Sequence, residues 1–271
     1  MKLISDKELL QLQLDILRDV DSFCRKNGIE YFLVGGTGIG AVRHGGYIPW
    51  DDDIDIGMTR PYYNKFLKTF NGTYSNLRLY APEIDLEYYA PYANVCDTRT
   101  VLDEGANGHR YDEIGVKIDI FPYDGVPGIN NGFNALRDKA RELRKAAANK
   151  RRLLHKVKFQ ISPWYLKAVW AKITLINTKY SSIQADIMKL AKVVPYEEAE
   201  YLEKIVFPYP KNEPCKKYIF ENYCDIPFEN LIVRNLKEYD IYLKSVFGDY
   251  MQLPPESERI AHHGFTAYWK D

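Results

Sequence analysis

Residues 51–53 of this chain are three consecutive aspartates, and Asp55 follows after a single isoleucine. Apolar sequence flanks the run, IEYFLV at 29–34 and IDIGM at 54–58. Carboxylates this close repel one another and raise one another's pKa. A fold that keeps them must supply a compensating cation or leave them in water. In a strand, residues two apart share a face, so Asp53 and Asp55 point together while Ile54 and Ile56 enter the core. Asp51 shares that parity if the strand begins early, and Asp52 points elsewhere. A hard divalent ion such as Mg²⁺ (or Mn²⁺) takes carboxylate oxygens and leaves positions for phosphate. The plain alternative is an acidic turn facing solvent, which a D-x-D pattern alone does not exclude.

The surroundings favour the metal. Gly35, Gly36 and Thr37 follow the apolar run and precede a short helix in GIGAVRH. Such a turn offers backbone N–H groups and a hydroxyl to a phosphate. A third carboxylate, Asp119, lies between Ile118 and Ile120 in GVKIDIF. A charge in such a strand needs a partner, and a cation held by Asp53 and Asp55 would be one. The alternative is a strand-end aspartate bound to backbone N–H groups. Lys117 has the parity of Asp119, so it can balance that charge or hold a phosphate.

The chain has 271 residues, enough for one large domain or a core with a cap. Its 37 basic and 37 acidic residues leave no net charge, which argues against a nucleic-acid partner. Four scattered cysteines, an N-terminus without a signal-peptide core and no apolar run of about 18 residues point to a cytoplasmic setting with free thiols. Ser5 and Glu8 form a capping box for a helix at 5–27, which Gly28 stops. A strand is expected in IEYFLV, and others in LRLY, YANVCD, RTVLD and GVKIDIF. The pattern turns helical from about 134 to 192, with a further helix near 237–247. The fold class is α/β (α+β): a mixed-sheet core over 1–130, and a helical cap with a C-terminal substrate-binding region over 131–271, integrated as one unit.

A glycine turn, a D-x-D pair and a later lone aspartate together resemble the nucleotidyltransferase fold. The stretch GGTGIGAVRHGGYIPWDDDIDIGM is similar to the signature block of the LicD family, which shares its core with fukutin-related proteins. KIDIFPYD, FGDYMQLPPESER and HHGFTAY extend the likeness along the chain. The resemblance implies a phosphotransferase that moves a phosphoryl-alcohol, phosphocholine first, from a CDP-alcohol such as CDP-choline to a glycan hydroxyl. The acceptor would be a teichoic acid or lipopolysaccharide precursor, including lipid-linked forms. Ethanolamine, glycerol or aminoethylphosphonate donors stay open, as do true nucleotidyl transfer with loss of pyrophosphate and a catalytically dead binding module. The resemblance also implies an inserted loop beside the metal, carrying Arg43, His44 and Trp50. Asp53, Asp55 and Asp119 would be both metal ligands and catalytic residues, with Asp119 also placed to accept the acceptor's proton. Gly35, Gly36, Thr37, Arg43, His44, Trp50 and Lys117 would bind substrate.

Trp50, Tyr88, Tyr89 and Tyr92 are cage candidates for a quaternary ammonium. His262 and His263 could close over the site. Residues 137–158 hold ten Lys or Arg against one Asp and one Glu. They read as a solvated helix face, or as a surface for an anionic substrate or anionic lipid. With the apolar segment 162–177, they raise peripheral membrane contact as an alternative to a buried cap helix.

Overall fold

The computed structural model describes residues 1–103, 114–154, 178–210, 212–260 and 265–271. Segment 162–177, His262 and His263 lie outside the described residues. In chain order the main elements are β1 (Lys2–Leu3), α1 (Asp6–Asn27), β2 (Phe32–Leu33), α2 (Gly35–Arg43), β3 (Asp55–Thr59), α3 (Arg60–Thr69), β4 (Leu77–Tyr80), β5 (Ala93–Asp97), β6 (Thr100–Asp103) and β7 (Lys117–Val126). There follow α4 (Phe133–Leu154), α5 (Tyr180–Leu190), β8 (Tyr201–Glu203), β9 (Cys215–Lys216), β10 (Tyr223–Phe228), β11 (Leu231–Leu236), α6 (Tyr239–Phe247) and β12 (Thr266–Trp269). An α/β fold is what the sequence led us to expect.

The central sheet runs β2-β3-β7-β5-β4. Its axis is β7, long enough to serve two sets of neighbours. The first half of β7 lies parallel to β3 and antiparallel to β5, and its last three residues pair with β8. The chain beyond residue 131 therefore adds β8, and through it β9, to the sheet. Ile54, Ile56, Ile118 and Ile120 are fully buried in the core. Helix α1 buries Leu9, Leu12, Ile16, Leu17 and Val20 in the same core. Its capping box is formed, with Ser5 Oγ accepting from Glu8 N at 3.3 Å, and Gly28 closes it at φ 58°.

Two local expectations change. The strand in IEYFLV shrinks to Phe32 and Leu33. Leu33 N is taken by the side-chain Oδ1 of Asn235 at 3.2 Å, so a side chain replaces a ladder partner there. Helix α2 starts at Gly35 rather than Gly38, so the glycines form its first turn. Gly35 enters it at φ 60°, a conformation that favours glycine. No helix among the described residues is long and apolar enough to cross a membrane.

Candidate active site

The register of three strands builds the centre of the site. Asp55 of β3 stands opposite Asp119 of β7, and Asp119 stands opposite Asn94 of β5. The result is a row, Asn94–Asp119–Asp55, across the sheet. Asp119 is 8% exposed, and its Oδ1 accepts from Lys117 Nζ at 2.5 Å and from Asn94 Nδ2. Both bonds fall on Oδ1, which leaves Oδ2 to a proton or a cation. Burial works against the Lys117 ammonium, but Asp119 with Tyr89 and Tyr92 outweighs it and holds this lysine well above its usual range. Asn94 is in turn fixed by Tyr88, whose hydroxyl donates to Asn94 Oδ1.

Asp55 is treated differently. Its Oδ1 is buried with no hydrogen-bond partner. Burial first, then the charges of Asp53 and Asp119, push its carboxyl well above the usual range, against the opposing pull of Lys204 and Lys117. Thr37 is buried, and its Oγ1 accepts from Asp55 N at 2.9 Å. Its hydroxyl oxygen thus ties the start of α2 to the start of β3.

The two glycines make room for carboxylates. A Cβ on Gly35 would stand 2.9 Å from Asp55 Oδ2, and one on Gly36 would stand 2.0 Å from Asp51 Oδ2. The carboxylates of Asp51, Asp52 and Asp53 offer ligand atoms within 4.8 Å of one another. Strand parity had sent Asp52 elsewhere. It fails because β3 begins only at Asp55 and 51–54 run outside it, where alternation does not apply. Among the described residues, the carboxylates grouped closely enough to share one cation are thus Asp51, Asp52 and Asp53, a set that includes neither Asp55 nor Asp119. Gly36→Ala tests the cradle. Alanine favours the helix by about 1 kcal/mol, so the fold should be kept or slightly stabilised. Displacement of Asp51 should still weaken divalent-ion binding by about tenfold or more, read by calorimetry.

Arg43, His44 and Trp50 gather with the C-terminal stretch. Arg43 Nη1 donates to the carbonyls of Tyr250 and Gln252 at 2.7 and 3.3 Å, and its Nε donates to His44 Nε2 at 2.9 Å. His44 is thus an acceptor at Nε2, and burial with the Arg43 charge pushes its pKa down. The Trp50 ring meets His44 edge-on at 6.4 Å and carries the Arg259 guanidinium over its face at 5.6 Å. The loop is thereby packed against the C-terminal stretch.

A cavity of about 340 Å³ opens between the sheet and helices α4 and α5, with Asp53, Asp119 and Lys117 in its wall. Tyr89 and Tyr92 line it, whereas Tyr88 is buried in the core and stacks on Tyr80. From α4, Arg144 and Arg151 reach the cavity, so these two face inward rather than toward a membrane surface.

Sequence reasoning missed four residues here: Asn94, Glu203, Lys204 and Tyr209. Lys204, 2% exposed, follows β8 and lies with Nζ 3.7 Å from the Tyr209 ring centroid and 4.6 Å from that of Phe121. Burial pulls it down to about 8, while Asp55 and Glu203 pull the other way. Burial lifts Glu203 to about 7. For Asn94 a signal existed, an amide between the apolar residues Ala93 and Val95 in the strand YANVCD. Nothing in YLEKIVFPYP marks Lys204 as a neighbour of Asp55.

Residues 28–146 match the family described as LicD/FKTN/FKRP, nucleotidyltransferase domain. The chain is 31% identical over 274 residues to the lipopolysaccharide cholinephosphotransferase LicD of Haemophilus influenzae, covering 99% of each. Human ribitol 5-phosphate transferase FKRP is 55% identical over 31 residues, 11% of this chain and 6% of that one. Mannosyltransferase regulator 4 of Saccharomyces cerevisiae is 28% identical over 137 residues, 50% of this chain and 11% of the other. Since one of these likenesses runs the full length of both proteins, the chain belongs to the LicD family.

Proposed function

We propose that the protein transfers a phosphoryl-alcohol, phosphocholine first, from a CDP-alcohol to a hydroxyl of a cell-surface glycan, releasing CMP. The observation that carries this reading is the carboxylate group Asp51–Asp53 just ahead of β3, followed by Asp55, whose Oδ1 is buried with no hydrogen-bond partner. An unpaired buried acceptor among like charges suits a hard divalent cation such as Mg²⁺, and the donor atoms here are all oxygens. Asp51, Asp52, Asp53 and Asp55 would hold it, with Asp119 at their edge. Such an ion, when bound, offsets the negative charge that develops on a diphosphate during transfer.

The chain's own residues do the rest. The acceptor oxygen bonds to the phosphorus that bears the alcohol, and the bond from that phosphorus to the bridging oxygen breaks, so CMP leaves. The hydroxyl proton goes to a carboxylate, and Asp119 Oδ2 is the oxygen open to it. Asn94 and Lys117 fix Asp119 through Oδ1 and so orient the base. The cavity beside Asp53 and Asp119 gives the donor and acceptor a place to meet these carboxylates. The reading places the reaction in the cytoplasm, which fits four cysteines that are all free thiols.

The test is product analysis with CDP-choline, Mg²⁺ and a glycan acceptor. Free CMP is the expected product. Pyrophosphate in its place would convert the reading to nucleotidyl transfer, and no nucleotide product would leave a binding module. Cation binding should also release protons, because Asp55 must ionise to become a ligand. Mg²⁺ affinity should accordingly fall as pH falls, measured by calorimetry in buffers of different ionisation heat.

A further inference from the structure

Arg144 and Arg151 stand two turns apart on α4 and line the same wall of the cavity. The Arg144 guanidinium lies 3.3 Å from the ring centroid of Phe207, and that of Arg151 lies 5.4 Å from the ring of Tyr89. Elsewhere on α4, Arg137 meets Asp138 and Lys139 meets Glu142, each at 3.7 Å. Neither Arg144 nor Arg151 has a carboxylate partner among the described residues. Burial pushes Arg144 down to about 10, so its charge is poorly solvated. The same cavity reaches Gln184, whose Nε2 is fixed on the Ala90 carbonyl at 2.6 Å and whose buried Oε1 has no partner.

These facts describe a receptor for an anion that also carries hydroxyls. A planar guanidinium, held in place by a ring and lacking a counter-ion, matches a phosphate in two-pronged geometry. The faces of Tyr89 and Phe207 already carry cations, so a quaternary ammonium placed against them would meet like charge. We propose that Arg144 and Arg151 form a phosphate-binding wall of the cavity, which takes the phosphate-bearing part of a substrate and turns away the quaternary ammonium of a choline head group. The proposal rests on the phosphoryl-transfer reading only for which substrate brings the phosphate: the diphosphate of the donor, or a phosphate on the acceptor glycan.

Calorimetric titration of the full chain can decide it, with inorganic pyrophosphate, CDP-choline, glucose 6-phosphate and choline chloride as probes. Arg144→Gln and Arg151→Gln should each weaken a phosphate-bearing probe by about tenfold or more, the worth of one charge-assisted contact. Lys145→Gln removes the same charge from an exposed position of α4 and should change affinity less than about twofold. Arg144→Lys, which keeps the charge but not the fork, should fall between, and melting curves show whether each variant is folded. Loss confined to CDP-choline and pyrophosphate assigns the wall to the donor. Loss confined to glucose 6-phosphate assigns it to the acceptor. Unchanged affinity in both arginine variants, equal loss in Lys145→Gln, no binding of any phosphate probe to the wild type, or displacement of pyrophosphate by choline chloride would each overturn the proposal. Absence of CMP release from the wild type would instead remove the proposed reaction and leave this binding pattern standing.

Discussion

Asp55→Asn is expected to abolish turnover and, at the same time, to raise the melting temperature of the metal-free protein. The loss should be about 10²–10⁴-fold, the span for a group that acts directly on the reacting centre. The gain in stability follows from the native environment of the carboxyl. Burial and the charges of Asp53 and Asp119 oppose its ionisation, and its Oδ1 makes no hydrogen bond that asparagine would break. A carboxyl whose folded pKa is raised binds more protons folded than unfolded, so it subtracts stability as pH rises above its ordinary range. Asparagine has no such dependence. The gap in melting temperature between variant and wild type should therefore widen from pH 4 upward and close again at acid pH. Added Mg²⁺ should stabilise the wild type more than the variant. A variant that melts lower than wild type at pH 8 without metal, or that keeps full turnover, would rule out the assignment of Asp55.

Asp119→Asn should also lose turnover by at least about 10²-fold, yet its effect on stability should have the opposite sign. Asp119 is paired with Lys117, and both are largely buried. Removing its charge leaves the Lys117 ammonium with no matched carboxylate. Breaking a pair of this kind costs about 1–3 kcal/mol once the retained hydrogen bonds at Oδ1 are allowed for. Two aspartates that face each other in register on adjacent strands thus respond oppositely to the same substitution. Mg²⁺ titration then separates the roles of Asp119. Unchanged metal affinity with collapsed turnover identifies the base, and affinity that falls in step with turnover identifies a ligand. Normal turnover in Asp119→Asn would mean that the base lies elsewhere.

The acidic centre was legible because it violates its surroundings. Asp53, Asp55 and Asp119 are charges in apolar sequence, and the isoleucines expected beside them in the core, Ile54, Ile56, Ile118 and Ile120, are buried there. The limits of each segment were less legible. Gly35–Thr37 read as a turn ahead of a helix at Gly38, but contacts to β3 accompany a helix that begins at Gly35: Val34 N bonds Asp55 O at 3.1 Å, and Thr37 Oγ1 takes Asp55 N. Asp52 was misplaced because parity has meaning only inside a strand. The partners that tune the centre were illegible for another reason. Asn94 arrives by register with β7, and Lys204 arrives by return of the chain through β8, so neither is near Asp55 in sequence. Arg144 and Arg151 were read within a basic stretch that was either a solvated helix face or a surface for an anionic substrate or lipid, and only the cavity that they line singles out these two.

The double service of β7 has a consequence for how the molecule can be divided. A cut near residue 130 would leave Asp119 and the whole aspartate run in the first piece. It would strand Lys204, Arg144 and Arg151 in the second, together with the strand that pairs with Asp124–Val126. The first piece would keep Lys117 but lose Lys204, the other buried cation that opposes ionised Asp55's repulsion, and the last three residues of β7 would lie bare, ready to pair with another chain. Neither fragment is then a smaller enzyme. Together they are a pair of complementary parts whose reassembly along β7 would be the event that restores the site, which makes this strand the natural seam for a split reporter.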